Sequence, residues 1–277
     1  MKKTREEKIT LSIAFAVFLA YSVSLVFPFL WALFNSFKAN FEFFQNVWAL
    51  PDKWLFGNYG NVFKEFNMGS MFIVSIITTA GGVIVSITAA CLPAYVVSRY
   101  RFRGGKVIYT IAITVMLIPT TGSLAALYKL MNTTRLYNSF PGLFLLYAGG
   151  FGFNFLLLYG FFKNIPWSYA EAAMVDGAGH FKTFYRIMLP QARNALIAIG
   201  IIAAINMWND FFTPFMFLPK HPTLATGMQR IVSDMTYASD WPKLFAAMVI
   251  CTLPTIITFA IFQKTIIENT VAGGLKG

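Results

Sequence analysis

Glu171-Ala172-Ala173-Met174-Val175-Asp176-Gly177, and after nine intervening residues Ile187-Met188-Leu189-Pro190, stand in a polar, basic loop of a chain that is otherwise strongly apolar. The loop covers 163–194 and carries Lys163, Lys182, Arg186 and Arg193. Long apolar segments flank it on both sides. A short amphipathic helix between two membrane spans lies along the membrane surface and offers a soluble partner a handle.

Working outward, the chain is 57% hydrophobic and only 12% charged, against roughly a quarter charged for a soluble domain. Residues 9–37, 66–98, 107–128, 136–162 and 244–263 contain no Asp, Glu, Lys or Arg, and 195–218 is interrupted only by Asp210. Each run reaches the ~20 residues that cross a bilayer core as a helix. The expectation is an all-α membrane protein, one domain over 1–277, with six transmembrane helices near 9–35, 69–98, 107–128, 138–162, 195–218 and 244–263.

Basic residues set the orientation. With a cytoplasmic N-terminus, the inner segments hold fourteen of the 22 Lys and Arg residues and the outer loops hold eight. Arg99, Arg101, Arg103 and Lys106 lie together in one short inner loop without an acid. Both termini and the 163–194 loop are thereby expected in the cytoplasm. The net charge of +11 is scattered at membrane borders, as anchors against anionic lipid are, which argues against nucleic acid. The basic N-terminus precedes an apolar run about twice the length of a signal-peptide core, so a retained first span is expected. Cys91 and Cys251 both fall in spans, where neither a disulfide nor a metal site is indicated.

The outer loop 38–67 is dense in aromatic residues, among them Phe41, Trp48, Trp54 and Tyr59. Rings at the headgroup level account for this, and a docking face for an external partner is the alternative. Gly82, Ser86, Ala90, Ala94 and Ser98, spaced by four, make a small-residue stripe along the second span. Such a stripe lets helices approach closely, either within the chain or against a second subunit. Pro28, Pro93, Pro119, Pro214 and Pro254 lie in or at the ends of spans, where each removes a backbone donor and can kink the helix.

Chemical motifs are mostly missing. Gly104-Gly105-Lys106-Val107 lacks the leading glycine and the hydroxyl of a phosphate-binding loop, and no HExxH or paired cysteines occur. His180 and His221 fall on opposite sides of the membrane. No catalytic or metal-binding residues are expected, and uphill transport would need energy from another subunit. Within the loop, Ser168-Tyr169-Ala170-Glu171 fits a capping box. Glu171 is then either a helix cap or a contact for a partner's basic groove. Gly177 and Gly179 supply a turn, and a second helix is expected from about His180 to Leu189, stopping at Pro190.

The spacing Glu-Ala-Ala, three residues, Gly, nine residues, Ile, one residue, Leu-Pro resembles the EAA loop of permease subunits from bacterial ABC importers, without mismatch in its fixed positions. Asn58-Tyr59, Trp208-Asn209, Asp240-Trp241, Ala246-Ala247, Leu253-Pro254, Gln263 and Gly273-Gly274-Leu275-Lys276-Gly277 look like the sugar-importing branch related to the smaller membrane subunit of maltose-type transporters. The resemblance implies the ABC importer permease fold with a cytoplasmic coupling helix. By the same resemblance Glu171, Ala172, Ala173, Asp176, Gly177, Ala178, Gly179, Leu189 and Pro190 couple to an ATP-binding subunit dimer, which uses ATP and Mg while this chain binds no cofactor. The implied partners are a homologous permease in a heterodimer and an extracytoplasmic solute-binding protein. The last outer loop, 219–243, would contact that protein, and the basic C-terminal tail would reach the ATPase interface.

Asp210 is the one acidic or basic residue inside a span, where such a group costs about 2.5–3.5 kcal/mol at the membrane centre. It is expected to face a pathway or a polar partner. Asn206, Trp208, Asn209 and Asp210 are the candidate pathway residues, suited to hydroxyls and to stacking on a sugar ring; hydrogen bonding between subunits is the alternative. The lack of a cation inside any span favours a neutral mono- or oligosaccharide. An ion-coupled carrier would require more intramembrane ionisable groups, and a membrane enzyme would require convergent acid, base or metal groups.

Overall fold

A computed structural model describes residues 4–118, 120–149 and 151–274, with the side chains of 120, 121 and 265–274 left undescribed. Pro119 and the Leu275-Lys276-Gly277 end of the C-terminal motif thus lie outside the described residues. Every regular element among the described residues is a helix, and none is a strand. Two compact units emerge: one comprises the chain up to Gly69 with Met228–Leu253, the other Ser70–Gly227 with the chain from Pro254 onward.

The first unit begins with α1 (Arg5–Asn35). Thr4 and Glu7 close a reciprocal capping box at its start, Glu7 N–H donating to Thr4 Oγ1 at 3.3 Å and Thr4 N–H to the Glu7 carboxylate at 2.9 Å. Its apolar side chains are exposed on every side, as suits a helix whose solvent is lipid. Beyond it come α2 (Asn40–Gln45) and α3 (Gly57–Glu65). Asn58 clamps the exit of α1, donating to the carbonyls of Ser36 at 2.8 Å and Lys38 at 2.9 Å. Tyr59 Oη lies 2.6 Å from Ser36 Oγ. Lys38 is fully buried, and its ammonium donates to the Asn46 carbonyl at 2.9 Å. Burial lowers its pKa, with Glu42 and Asp52 acting in the opposite sense. Trp31 ties the same region together, bonding the Val47 carbonyl at 2.9 Å and meeting the Phe245 ring edge-on at 5.1 Å.

The second unit holds most of α4 (Met68–Arg99), then α5 (Gly105–Leu117), a 3-10 turn (Thr120–Ser123), α6 (Leu124–Thr133), α7 (Phe140–Ala148) and α8 (Phe151–Asn164). The small-residue stripe of α4 packs within the chain. Ala90 and Ala94 are completely buried in a core with Phe155, Leu158 and Phe162 of α8. Ser86 accepts a 2.7 Å hydrogen bond from Asn154 Nδ2. Close packing of small residues replaces the hydrophobic drive that lipid cannot supply.

The second unit continues through α9 (Ser168–Val175), α10 (His180–Thr183), a π turn (Phe184–Met188), α11 (Leu189–Gln191), α12 (Arg193–Trp208), α13 (Phe212–Phe217) and the start of α14 (Leu224–Tyr237). It ends with the distal part of α15 (Trp241–Gly274).

Three of the six expected spans are single helices long and apolar enough to cross a bilayer: α1, α4 and α15 up to Lys264. The other three are broken. The 107–128 span ends its first helix at Leu117, because Ile118, preceding Pro119, is extended (φ −83°, ψ 117°), as the proline ring requires of the residue before it. The 138–162 span is α7 and α8, bent by 53°. The 195–218 span stops at Trp208, and Asp210 Oδ1 accepts the Thr213 N–H at 3.1 Å, starting α13 anew. Continuous helices over 107–128, 138–162 and 195–218 are therefore not what forms. Hydropathy reports composition and is blind to such breaks.

Candidate functional site

The 163–194 loop folds into a hairpin of short helices. α9 is terminated by a Schellman motif, in which Ala178 N–H bonds the Ala173 carbonyl at 2.9 Å and Gly177 N–H bonds Met174 at 3.0 Å. The motif places Gly177 at φ +80°, a conformation that glycine adopts freely and that an L side chain resists. Gly179 has ordinary extended backbone (φ −67°, ψ 162°), so the turn rests on Gly177 alone.

The expected capping box does not form. Ser168 is already helical, and the N–H groups of Ala170 and Glu171, in the first turn of α9, bond the Trp167 carbonyl at 2.8 and 3.1 Å. Pro166 and Trp167 preset the chain entry, which leaves the Ser168 hydroxyl no donor to cap. Glu171 is exposed, and its carboxylate has no partner among the described residues.

The second arm also differs from expectation. It passes through Pro190 and ends at Gln191, where the chain turns by 71° into α12. Proline lacks the N–H that would bond the carbonyl of residue 186, and its ring crowds that carbonyl. The π turn widens the helix just before it, with Leu189 N–H reaching back to Phe184, and so relieves the crowding.

The hairpin is pinned from beneath. Arg99, at the end of α4, donates to the Ile165 carbonyl, and its guanidinium lies 5.6 Å from the Trp167 ring centre. Tyr100 Oη is 3.0 Å from His180 Nδ1, joining both arms to the 99–106 loop. Phe184 is buried against Tyr95, with ring centres 4.8 Å apart. The opposite face stays open. Tyr169, Val175, Phe181 and Tyr185 are all exposed, Val175 by 87%, beside Glu171, Ala172 and Asp176. Ala173 is buried and Ala178 and Leu189 are half-buried, so these three shape the hairpin from within. Gly177, Gly179 and Pro190 are exposed at its bends.

The candidate pathway residues separate. Asn206 and Asp210, one turn apart, line a cavity of about 440 Å³. Trp208 turns to the other face of α12 and packs on Phe72, with centres 6.0 Å apart. Asn209 donates to Thr255 of α15 at 3.2 Å, serving as an interhelical tie. Sequence reasoning missed Ser86, Tyr147 and Asn154, which complete the polar lining. The Tyr147 ring lies close over Gly82, where a Cβ would sit 2.6 Å from the ring. Its hydroxyl is buried and faces the Asp210 carboxylate. Among the described residues no His, Cys, Asp and Glu cluster could hold a metal.

Against this geometry, residues 82–270 match the family model described as "Binding-protein-dependent transport system inner membrane component". The chain is 32% identical to the "Diacetylchitobiose uptake system permease protein NgcG" of Streptomyces coelicolor, over 96% of this chain and 89% of that protein. It is 27% identical to the "Probable starch degradation products transport system permease protein AmyC" of Thermoanaerobacterium thermosulfurigenes, over the full length of both. A solved chain of a bacterial ABC transporter "involved in the import of the acidic polysaccharide alginate" shares the fold, with TM-score 0.86 and 22% identity over 95% of this chain and 99% of that one. The matched region takes in the cavity and the surface hairpin alike, and this chain belongs to the family of inner membrane components of binding-protein-dependent transport systems.

Proposed function

We propose that this chain is one permease subunit of an ATP-driven ABC importer for a neutral mono- or oligosaccharide. Family membership supports the importer class, and the names of the two relatives, one for diacetylchitobiose uptake and one for starch degradation products, support carbohydrate. The observation that carries the coupling role is the hairpin around Gly177: apolar side chains and an unengaged Glu171 on its open face, and a rigid attachment to α4 and α8 on the other. Exposed aromatic side chains beside a carboxylate suit a groove on a soluble partner.

In this reading the chain pairs with a homologous permease and presents the hairpin to an ATP-binding dimer, which handles ATP and Mg. A solute-binding protein delivers sugar on the outer side. Closure of the ATPase dimer pulls the hairpin, and the pinned ends of α4 and α8 carry that movement to the cavity. The excess of basic residues on the hairpin side supports cytoplasmic termini.

The test is gentle solubilisation of the chain from its native membrane and mass spectrometry of what accompanies it, followed by reconstitution. A second permease with an ATPase, and sugar uptake that needs internal ATP, is the expected result. A chain recovered alone that transports without ATP would overturn the reading.

A further inference from the structure

We infer that Lys106 and Lys163, with the rings of Tyr109 and Tyr159 beside them, form a binding site for the headgroup of an anionic phospholipid on the hairpin side of the membrane. Such a site concerns the lipid around the chain rather than its solute, and it is independent of what the chain transports.

The seam between α5 and α8 brings these residues together. At one end of the seam Met116 and the Ala112 carbonyl crowd Gly152, where a Cβ would sit 2.6 Å from the Met116 side chain and 2.5 Å from that oxygen. Further along, Tyr109 meets Phe155 and Tyr159, with ring centres 6.4 and 4.9 Å apart. The two helices are therefore antiparallel in this register. One more turn carries α5 back to Lys106 and α8 on to Lys163, so both lysines flank the same end of the seam. The Lys163 ammonium lies 6.0 Å from the centre of the Tyr159 ring, within reach of a cation–π contact. Both lysines are exposed and both tyrosines half-buried.

Charge supplies the second support. Residues 66–170 contain no Asp or Glu. Among the described residues neither lysine has a carboxylate partner, the hairpin's Glu171 and Asp176 included. Arg101 and Arg103 add two exposed cations in the short loop that leads into α5. Cations without counter-charge at a membrane border attract anionic headgroups, and tyrosine is a ring suited to that border. From this end toward the membrane interior both helices expose apolar side chains, among them Ile111, Ile113 and Leu157. Phosphate at the lysines with acyl chains over this surface matches that order. A free phosphate would use the lysines alone.

The experiment uses the full chain with the subunits that accompany it, purified in detergent and exposed to equal amounts of dioleoyl-phosphatidylglycerol and dioleoyl-phosphatidylcholine. Native mass spectrometry counts each lipid retained. Preferential retention of phosphatidylglycerol is the expected result. Lys106→Gln or Lys163→Gln alone should weaken it about 5-fold and the double variant about 25-fold, the equivalent of about 1 kcal/mol for each cation at an anionic surface. Lys106→Arg with Lys163→Arg retains the charge and is expected to keep the preference. Lys129→Gln, in α6, removes one cation elsewhere and is expected to leave it unchanged. The thermal midpoint in phosphatidylcholine alone checks that each variant is folded, and the single variants decide if the double one does not assemble. Equal retention of both lipids by the unmodified protein overturns the site. So does an undiminished preference in the Gln variants, or an equal loss in Lys129→Gln. Displacement of phosphatidylglycerol by inorganic phosphate at equal concentration would assign the lysines to a soluble anion and overturn the lipid. Each of these outcomes leaves the importer reading standing.

Discussion

The Arg99 guanidinium lies 5.6 Å from the centre of the Trp167 ring while it also donates to the Ile165 carbonyl. One side chain at the end of α4 thus holds both the exit of α8 and the entry of α9. Replacing Arg99 by Ala removes a cation–π contact and a charge-assisted hydrogen bond, together about 2 kcal/mol. The hairpin should loosen without unfolding the spans. ATP-driven uptake is expected to fall several-fold in membranes that contain normal amounts of the chain, and full uptake by Arg99→Ala would remove this residue from transmission.

Gly177 has open space where a Cβ would point, so a substitution there is opposed by backbone conformation rather than by a clash. The left-handed conformation costs an ordinary residue about 1–2 kcal/mol and Asn less. Gly177→Val should therefore uncouple or disassemble the complex while membrane insertion persists, and Gly177→Asn should retain more transport than Gly177→Ala. Equal activity in all three would show that the turn is not needed.

With the capping box absent, Glu171→Gln leaves α9 unchanged in shape and removes only charge. Weaker retention of the ATP-binding subunit at raised salt is the expected outcome, read from the amount that copurifies. Identical retention would take the carboxylate out of the contact.

Asn58 and Tyr59 belong to a resemblance that points to sugar importers, yet here they hold backbone. Asn58→Ala should lower the stability of the first unit by about 2 kcal/mol through two orphaned carbonyls, and Tyr59→Phe by about 1 kcal/mol. Thermal unfolding in detergent checks this. Unaltered midpoints with weakened docking of a binding protein would assign the pair to recognition instead.

Some of the site was legible in advance. The positive φ at Gly177 follows from a helix ending in a residue type that alone tolerates it freely, and the spacing located it. Asn206 and Asp210 share a helix face by periodicity. The same periodicity puts Trp208 on the opposite side, a signal that was there to be used. Asn209 could not be assigned this way, because its direction is decided by Thr255, forty-six positions along the chain. The failed capping box shows the reverse case: Ser168 and Glu171 have the right spacing, but Pro166-Trp167 starts the helix one residue too early for it.

What the amino-acid sequence by itself determined is what depends on local composition and spacing: the membrane class, the uneven spread of Lys and Arg among the loops and the turn at Gly177. Which spans break, and which polar groups meet in the cavity, only the tertiary structure decided. Ser86, Tyr147 and Asn154 come from three separate helices and Asp210 from the break between α12 and α13. Their meeting depends on helix packing, where a glycine at position 82 admits an aromatic ring and small residues bring α4 against α8. Such contacts join distant positions, and no hydropathy window or helical period spans them.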